Sequence, residues 1–285
     1  MNDFDFIQAS DRQAALDLIQ ASPGSVPVAG GTNLLVNLKR RPLDTGLVVD
    51  VSRIESLKSI DDAGSAIKIG AGVTLAQILD WRPGGVIETL MQPMAAAFSG
   101  PLIRNLATVG GNVCDASPAA DVSPPLLALD ACVHLENAAG QSRTLALGDF
   151  FKGVRHTALQ AGELLTSIEF DKPSAADRGF YYKLGKRKAD AISIVSIAIR
   201  LRQESGKVTE CRIALGAVAP VAMRAPAAEA ELQGKSLTTA RIASAAAAAA
   251  AESKPIDDFR ASGAYRRRMV EVLVRRGLEQ LATAC

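Results

Sequence analysis

The chain has 285 residues, 48% hydrophobic and 22% charged, a globular composition long enough for two or three small domains. A formal net charge of +2 and an aromatic content of 4% give no electrostatic or base-stacking reason to expect nucleic acid or a membrane surface as partner. The cysteines Cys114, Cys132, Cys211 and Cys285 form no C-x-x-C pair, so neither a zinc site nor a disulfide framework is expected.

The opening "MNDFDFIQAS" has no basic segment followed by an apolar run, so it does not read as a signal peptide. No uncharged apolar run of about 18 residues occurs, so no membrane span is expected, and a reducing, cytoplasmic setting follows. Ser10 is expected to cap a helix with Asp11 in its first turn, Ala14, Leu16, Leu18 and Ile19 on its apolar face, and Pro23-Gly24 at its end. Strands are expected at Val26–Val28, "LVVDV" (47–51) and "AIKIGAG" (66–72), the last followed by helical "TLAQIL". A helix is expected over Val86–Phe98, then a long irregular stretch, then a strand pair at "CVHLE" and "RTLAL". "ELLTSIEF" is a strand, and the small polar "PSAAD" marks a boundary near Ala175. Beyond it "GFYYKL", "ISIVSIAIRLRQ" and "KVTECRIALGAV" read as three strands, with a hairpin turn at Glu204–Gly206. Helical patterns over 226–233, 238–252 and 263–282 complete a mixed α+β chain.

Two glycine pairs have similar surroundings, "VAGGTN" (28–33) and "ATVGGN" (107–112). Consecutive glycines can turn successive N–H groups into one concavity that suits a phosphate oxygen, and Thr32, Asn33, Thr108 and Asn112 can add side-chain hydrogen bonds. Either loop alone is equally well read as a tight turn. Two together point to a shared ligand. "GAGVTL" (70–75) lacks the last glycine of a dinucleotide fingerprint, since Leu75 stands there, and is expected to be a structural turn. Asp121 in "DASPAAD" can accept from sugar hydroxyls or serve as a solvated or capping carboxylate. The cluster "KLGKRKAD" is either a solvated strand end or a cation facing an anionic cofactor. His134 and His156 have no ligand spacing and are expected to be structural, so no metal site is proposed. No nucleophile–histidine–acid set is present, so no catalytic residue is named and the chemistry is expected from a bound cofactor.

"VPVAGGTNLL", "IRNLATVGGNVCDASPAAD", "GELLTSIEF", "YYKLGKRKAD" and "YRRRMVEVLVRR" occur in an order that resembles the FAD-binding medium subunit of molybdenum hydroxylases. That group includes carbon monoxide dehydrogenase, bacterial xanthine dehydrogenase and aldehyde or N-heterocycle oxidoreductases. The resemblance implies a vanillyl-alcohol-oxidase-type (PCMH) fold, with two α/β subdomains holding FAD and a C-terminal domain of a small antiparallel sheet and helices. Residues 1–56, 57–175 and 176–285 are the expected divisions. By the resemblance the first phosphate loop is Ala29, Gly30, Gly31, Thr32 and Asn33, flanked by Val28 and Leu34. The second is Thr108, Gly110, Gly111 and Asn112, with Ala107 and Cys114 beside it and Asp121 near the ribityl or diphosphate part. Leu164 and Leu165 match an apolar pair beside adenine or its ribose, and Phe98 and Ile103 line the cofactor. Lys183 matches a basic residue at the flavin, with Asp190 and Ile192 near the isoalloxazine.

The implied role is electron transfer, from [2Fe–2S] clusters on a small partner subunit through FAD to an external acceptor. Molybdopterin would sit on a large partner subunit, and the assembly would be a dimer of heterotrimers. Cys114 and Cys132 enclose no further cysteine, so the iron–sulfur insertion of some relatives is absent and no cluster is expected in this chain. The competing expectation is a free-standing FAD-dependent reductase of the UDP-N-acetylmuramate dehydrogenase type.

Overall fold

The computed structural model describes residues 4–40, 46–188 and 190–283. Cys285 and Ala189 lie outside the described residues.

The first segment contains β1 (Asp5–Gln8), α1 (Arg12–Ala21), β2 (Val26–Val28), α2 (Leu34–Arg40) and β3 (Leu47–Asp50). The strands form a parallel sheet in the order β1-β3-β2, with all four residues of β3 buried. Strand β1 was not expected, because its residues are exposed on both faces and carry no alternation; its pairing with β3 makes it a strand. The cap of α1 differs from the expectation by one residue. Asp11 is the N-cap, its carboxylate accepting from the Ala14 N–H at 2.9 Å, while Ser10 donates to Asp11. Such a cap contributes about 1 kcal/mol.

The second segment contains β4 (Ile60–Asp61), β5 (Ala66–Gly70), α3 (Leu75–Asp80), α4 (Gly85–Ala97), α5 (Pro101–Arg104), α6 (Val109–Asp115), α7 (Ser123–Ala128), β6 (Cys132–Asn137), β7 (Ser142–Ala146), α8 (Leu147–Phe150), a hairpin of β8 (Phe151–Gly153) and β9 (His156–Thr157), and β10 (Glu163–Asp171). Five of these strands form an antiparallel sheet in the order β4-β5-β10-β6-β7. The stretch expected to be irregular holds the short helices α5, α6 and α7. Proline in the first turn starts α5 and α7, and the Thr108 hydroxyl caps α6. Their apolar residues Val113 and Leu126 join Leu90, Met91 and Met94 of α4 over the sheet residues Ile69, Val133 and Ile168.

The third segment contains β11 (Arg178–Leu184), β12 (Val195–Glu204), β13 (Lys207–Gly216), β14 (Met223–Arg224), α9 (Pro226–Leu232), α10 (Thr239–Glu252) and α11 (Gly263–Thr283). The sheet is antiparallel in the order β11-β12-β13-β14. The expected hairpin turn is present, with Ser205 and Gly206 both at positive φ. One face buries Ile197, Ile199, Ile213 and Leu215 against α10 and α11. The other face, through Tyr181, Ala198 and Ala214, joins the core of the second segment. Helices α4 and α7 pack on that face, so the third sheet closes one side of the cavity described below. Among the described residues no helix is long and apolar enough to cross a membrane.

Candidate functional site

A cavity of about 710 Å³ lies where the three sheets meet. All twenty residues expected to hold a cofactor line it: Val28–Leu34, Phe98, Ile103, Ala107, Thr108, Gly110, Gly111, Asn112, Cys114, Asp121, Leu164, Leu165, Lys183 and Asp190. Ile192 also lines it and is 58% exposed at its rim.

The two glycine pairs reach this wall by different physics. A Cβ on Gly30 would stand 1.8 Å from the Leu106 carbonyl oxygen, so this position admits glycine because two backbones touch. Gly31 has φ +64°, which brings the chain round into α2. Among the described residues, the N–H groups of Gly30, Gly31, Thr32, Asn33 and Leu34 donate to no protein acceptor, although their carbonyls start the helix: Leu35 bonds to Gly31 and Asn37 to Asn33, both at 3.0 Å. This half-buried run of unpaired donors is the feature that asks for an acceptor, because buried N–H groups are normally paired.

The second pair is not a nest, which corrects the expectation for it. Gly110 and Gly111 sit in the first turn of α6, and every N–H of that turn is taken. Val109 donates to the Val73 carbonyl and Gly110 to Ala71, both at 2.9 Å. Gly111 donates to the Thr108 hydroxyl and Asn112 to the Thr108 carbonyl, both at 3.0 Å. Gly110 is glycine because a Cβ would press on Ala71 at 2.5 Å. What this loop offers the cavity is a thin backbone wall with Thr108 and Asn112 on it. The third glycine stretch is structural as expected, ended by a capping box of Thr74 and Gln77, but it also brings Ala71 and Gly72 to the cavity.

Asp121 and Lys183 form a buried ion pair on the wall, Nζ to Oδ2 at 2.6 Å. The other Asp121 oxygen accepts from the Ser193 hydroxyl at 2.6 Å. Lys183 also donates to the carbonyl of Ala97 at 3.0 Å, the end of α4, where a cation complements the helix dipole. Burial raises the Asp121 carboxyl above its ordinary range, against the lowering effect of Lys183 and Ser193. Tyr181 is buried nearby, its hydroxyl without a partner among the described residues, and burial, then the Asp121 charge, pushes its pKa well up. Burial and Asp115 push the Cys114 thiol up to about 12, so it serves as apolar wall and not as a nucleophile.

At the rim, Ser99 donates to Asp190 at 2.7 Å. Both residues have positive φ, and Arg104 holds the turn by donating to the carbonyls of Ser99 at 2.7 Å and Phe98 at 3.1 Å. On another part of the wall Glu163 receives a forked pair of bonds from Arg143, at 2.6 and 2.7 Å, which holds its carboxyl below the ordinary range. Arg155, Ser99, Ala71 and Glu163 line the cavity without having been anticipated. Arg155 and Ser99 belong to no motif and are brought there by the β8–β9 hairpin and the turn after α4, whereas Ala71 and Glu163 lie inside "GAGVTL" and "GELLTSIEF".

Residues 2–173 match the family of the FAD binding domain in molybdopterin dehydrogenase, and residues 180–281 match the CO dehydrogenase flavoprotein C-terminal domain. The glyceraldehyde dehydrogenase medium chain of Sulfolobus acidocaldarius is 29% identical over 98% of this chain and 99% of its own length. The nicotinate dehydrogenase FAD-subunit of Eubacterium barkeri is 32% identical over 84% of this chain and 82% of its own. In structure, the chain is similar to carbon monoxide dehydrogenase from Hydrogenophaga pseudoflava, solved in a form lacking the Mo-pyranopterin moiety of its cofactor. That match has a TM-score of 0.92 and 29% identity, over 98% of this chain and 96% of that one.

Proposed function

The chain belongs to the family of FAD-binding medium subunits of molybdenum hydroxylases, and from that premise we propose that it relays electrons from [2Fe–2S] clusters on a small partner subunit, through FAD, to an external acceptor. It is a flavoprotein subunit of the carbon monoxide and xanthine dehydrogenase type of oxidoreductase. Substrate oxidation would take place at molybdopterin on a large partner, and the assembly would be a dimer of heterotrimers. The division of the chain at residues 56 and 175 is proposed on the same basis.

The observation that carries the proposal is the run of unpaired N–H groups from Gly30 to Leu34 on the wall of a cavity of about 710 Å³. Its donors suit a phosphate, and the apolar walls suit planar rings. The residues fit FAD: Gly30 to Asn33 would hold a phosphate, Leu164 and Leu165 would flank the adenosine, and Lys183 would stand at the flavin. FAD supplies the exchange between two-electron and one-electron transfer. This chain's residues position it and set its surroundings. Lys183 contributes a positive charge that Asp121 balances. Tyr181 and Cys114 keep their protons and add no charge. No residue here is required to move a proton on the primary substrate.

The free-standing reductase reading is set aside, because residues 180–281 match the family of the CO dehydrogenase flavoprotein C-terminal domain. The test is purification from the native source. Two further chains and one FAD per copy of this chain are expected. Removing FAD should abolish transfer to the external acceptor while the iron–sulfur clusters still become reduced by substrate. A complex that passes electrons to that acceptor equally well without FAD overturns the proposal.

A further inference from the structure

A bound diphosphate brings negative charge that neutral N–H donors do not balance. With the N–H groups of Val109 to Asn112 bonded inside the protein, the run at Gly30 to Leu34 is left to supply main-chain donors to a bound diphosphate in the FAD reading. These are neutral donors, and a diphosphate carries about two negative charges at neutral pH. Two cationic side chains are among the described residues of the wall, Lys183 and Arg155. Lys183 is buried and matched by Asp121 at 2.6 Å.

Arg155 is placed differently. Its guanidinium touches Asp115 through one nitrogen, Nη1 to Oδ1 at 2.8 Å, and among the described residues its remaining N–H groups have no protein acceptor. The side chain is 49% exposed, so those donors are open to a ligand. The backbone holds it deliberately. Arg155 has φ +56°, and its N–H donates at 3.0 Å to the carbonyl of Ala116, itself at φ +43°. A non-glycine residue in this region costs about 1–2 kcal/mol, so two in mutual contact need the surrounding structure to hold them. The tip of the β8–β9 hairpin is thereby fixed to the end of α6, and Asp115 aims the guanidinium from that same helix end.

Resting on the FAD reading above, we propose that Arg155 is a further cofactor-binding residue, whose guanidinium pairs with the anionic diphosphate and whose orientation Asp115 sets. A planar fork of donors suits two phosphate oxygens better than a lysine would.

The test is titration of the deflavinated chain with FAD and with riboflavin, followed by flavin fluorescence at low and high salt, for wild type, Arg155→Ala, Arg155→Lys and Asp115→Asn. Thermal melts of the deflavinated proteins establish folding. Arg155→Ala should weaken FAD binding about tenfold or more and flatten its salt dependence, leaving riboflavin binding unchanged. Arg155→Lys should keep the salt dependence and recover part of the affinity, and Asp115→Asn should give a smaller loss than Arg155→Ala. Wild-type affinity and salt dependence in Arg155→Ala overturn the assignment. An equal loss for FAD and riboflavin also overturns it, because it marks a hairpin that only supports the wall. A folded wild-type chain that takes up no FAD overturns the underlying reading and the assignment with it.

Discussion

Asp121 and Lys183 hold each other's charge on the cavity wall, and each depends on the other. Taking two ions from water costs several kcal/mol, which their contact and the bonds to Ser193 and Ala97 must offset. Removing one partner leaves the other buried and unmatched. Asp121→Asn is therefore expected to lower stability by about 3–5 kcal/mol in the deflavinated chain. With Lys183 unbalanced, the midpoint potential of bound FAD should rise on the order of 30 mV, equivalent to about 1.4 kcal/mol over two electrons. Denaturant melts and a redox titration check the two effects. An unchanged potential would remove Lys183 from the flavin's surroundings. Both residues could be picked out of the sequence as charges worth noticing. Their pairing could not, because 62 residues separate them and the fold alone joins them.

At the scale of elements, helix α11 shows what the "YRRRM" motif does. Arg266 is almost fully buried and donates to the carbonyls of Ile194 at 2.8 Å and Ala217 at 3.1 Å, and to Asp258 at 2.8 Å. It ties α11 to the start of β12, two residues beyond cavity-lining Ile192. Asp258 is held well below the ordinary carboxylate range, first by its hydrogen bond to Arg260 and also by the charge of Arg266. Its folded pKa is depressed, so its contribution is present above the unfolded value of 3.8 and is lost as pH falls through the folded value. Asp258→Asn should cost about 3 kcal/mol at pH 7, the low end for breaking a buried pair, since Arg266 keeps two carbonyl acceptors. The deficit should narrow steadily below about pH 4. Urea melts between pH 7 and 3 measure it, and a deficit independent of pH would rule out the ion pair as its source. The helix itself was plain from its apolar periodicity. The burial of one arginine among several neighbours was not, since a run of charges carries no sign of which member turns inward.

Across the whole molecule, the long periodic elements were legible: α1, α4, α10, α11 and the strands β11, β12 and β13, while the set of residues that lines one cavity came from the glycine loops and the family resemblance. Less legible were the elements made by context. Strand β1 has no buried face, and α5 to α7 are too short to show a period, so proline and threonine positions start them. The two glycine pairs look alike as sequence and act differently, because the Ala71 carbonyl and the Thr108 hydroxyl take up the second pair's donors, beside a β-bridge between Thr74 and Thr108. The Gly30–Leu34 N–H run is therefore expected to grip the cofactor while the Val109–Asn112 turn builds the wall. Amide hydrogen exchange followed by mass spectrometry, with and without FAD, tests this most directly. Exchange in the segment 30–34 should be fast in the deflavinated chain and strongly slowed by FAD, with segment 109–112 protected in both forms. Equal exchange at 30–34 with and without FAD, or protection gained only at 109–112, would rule out the Gly30–Leu34 run as the cofactor's grip.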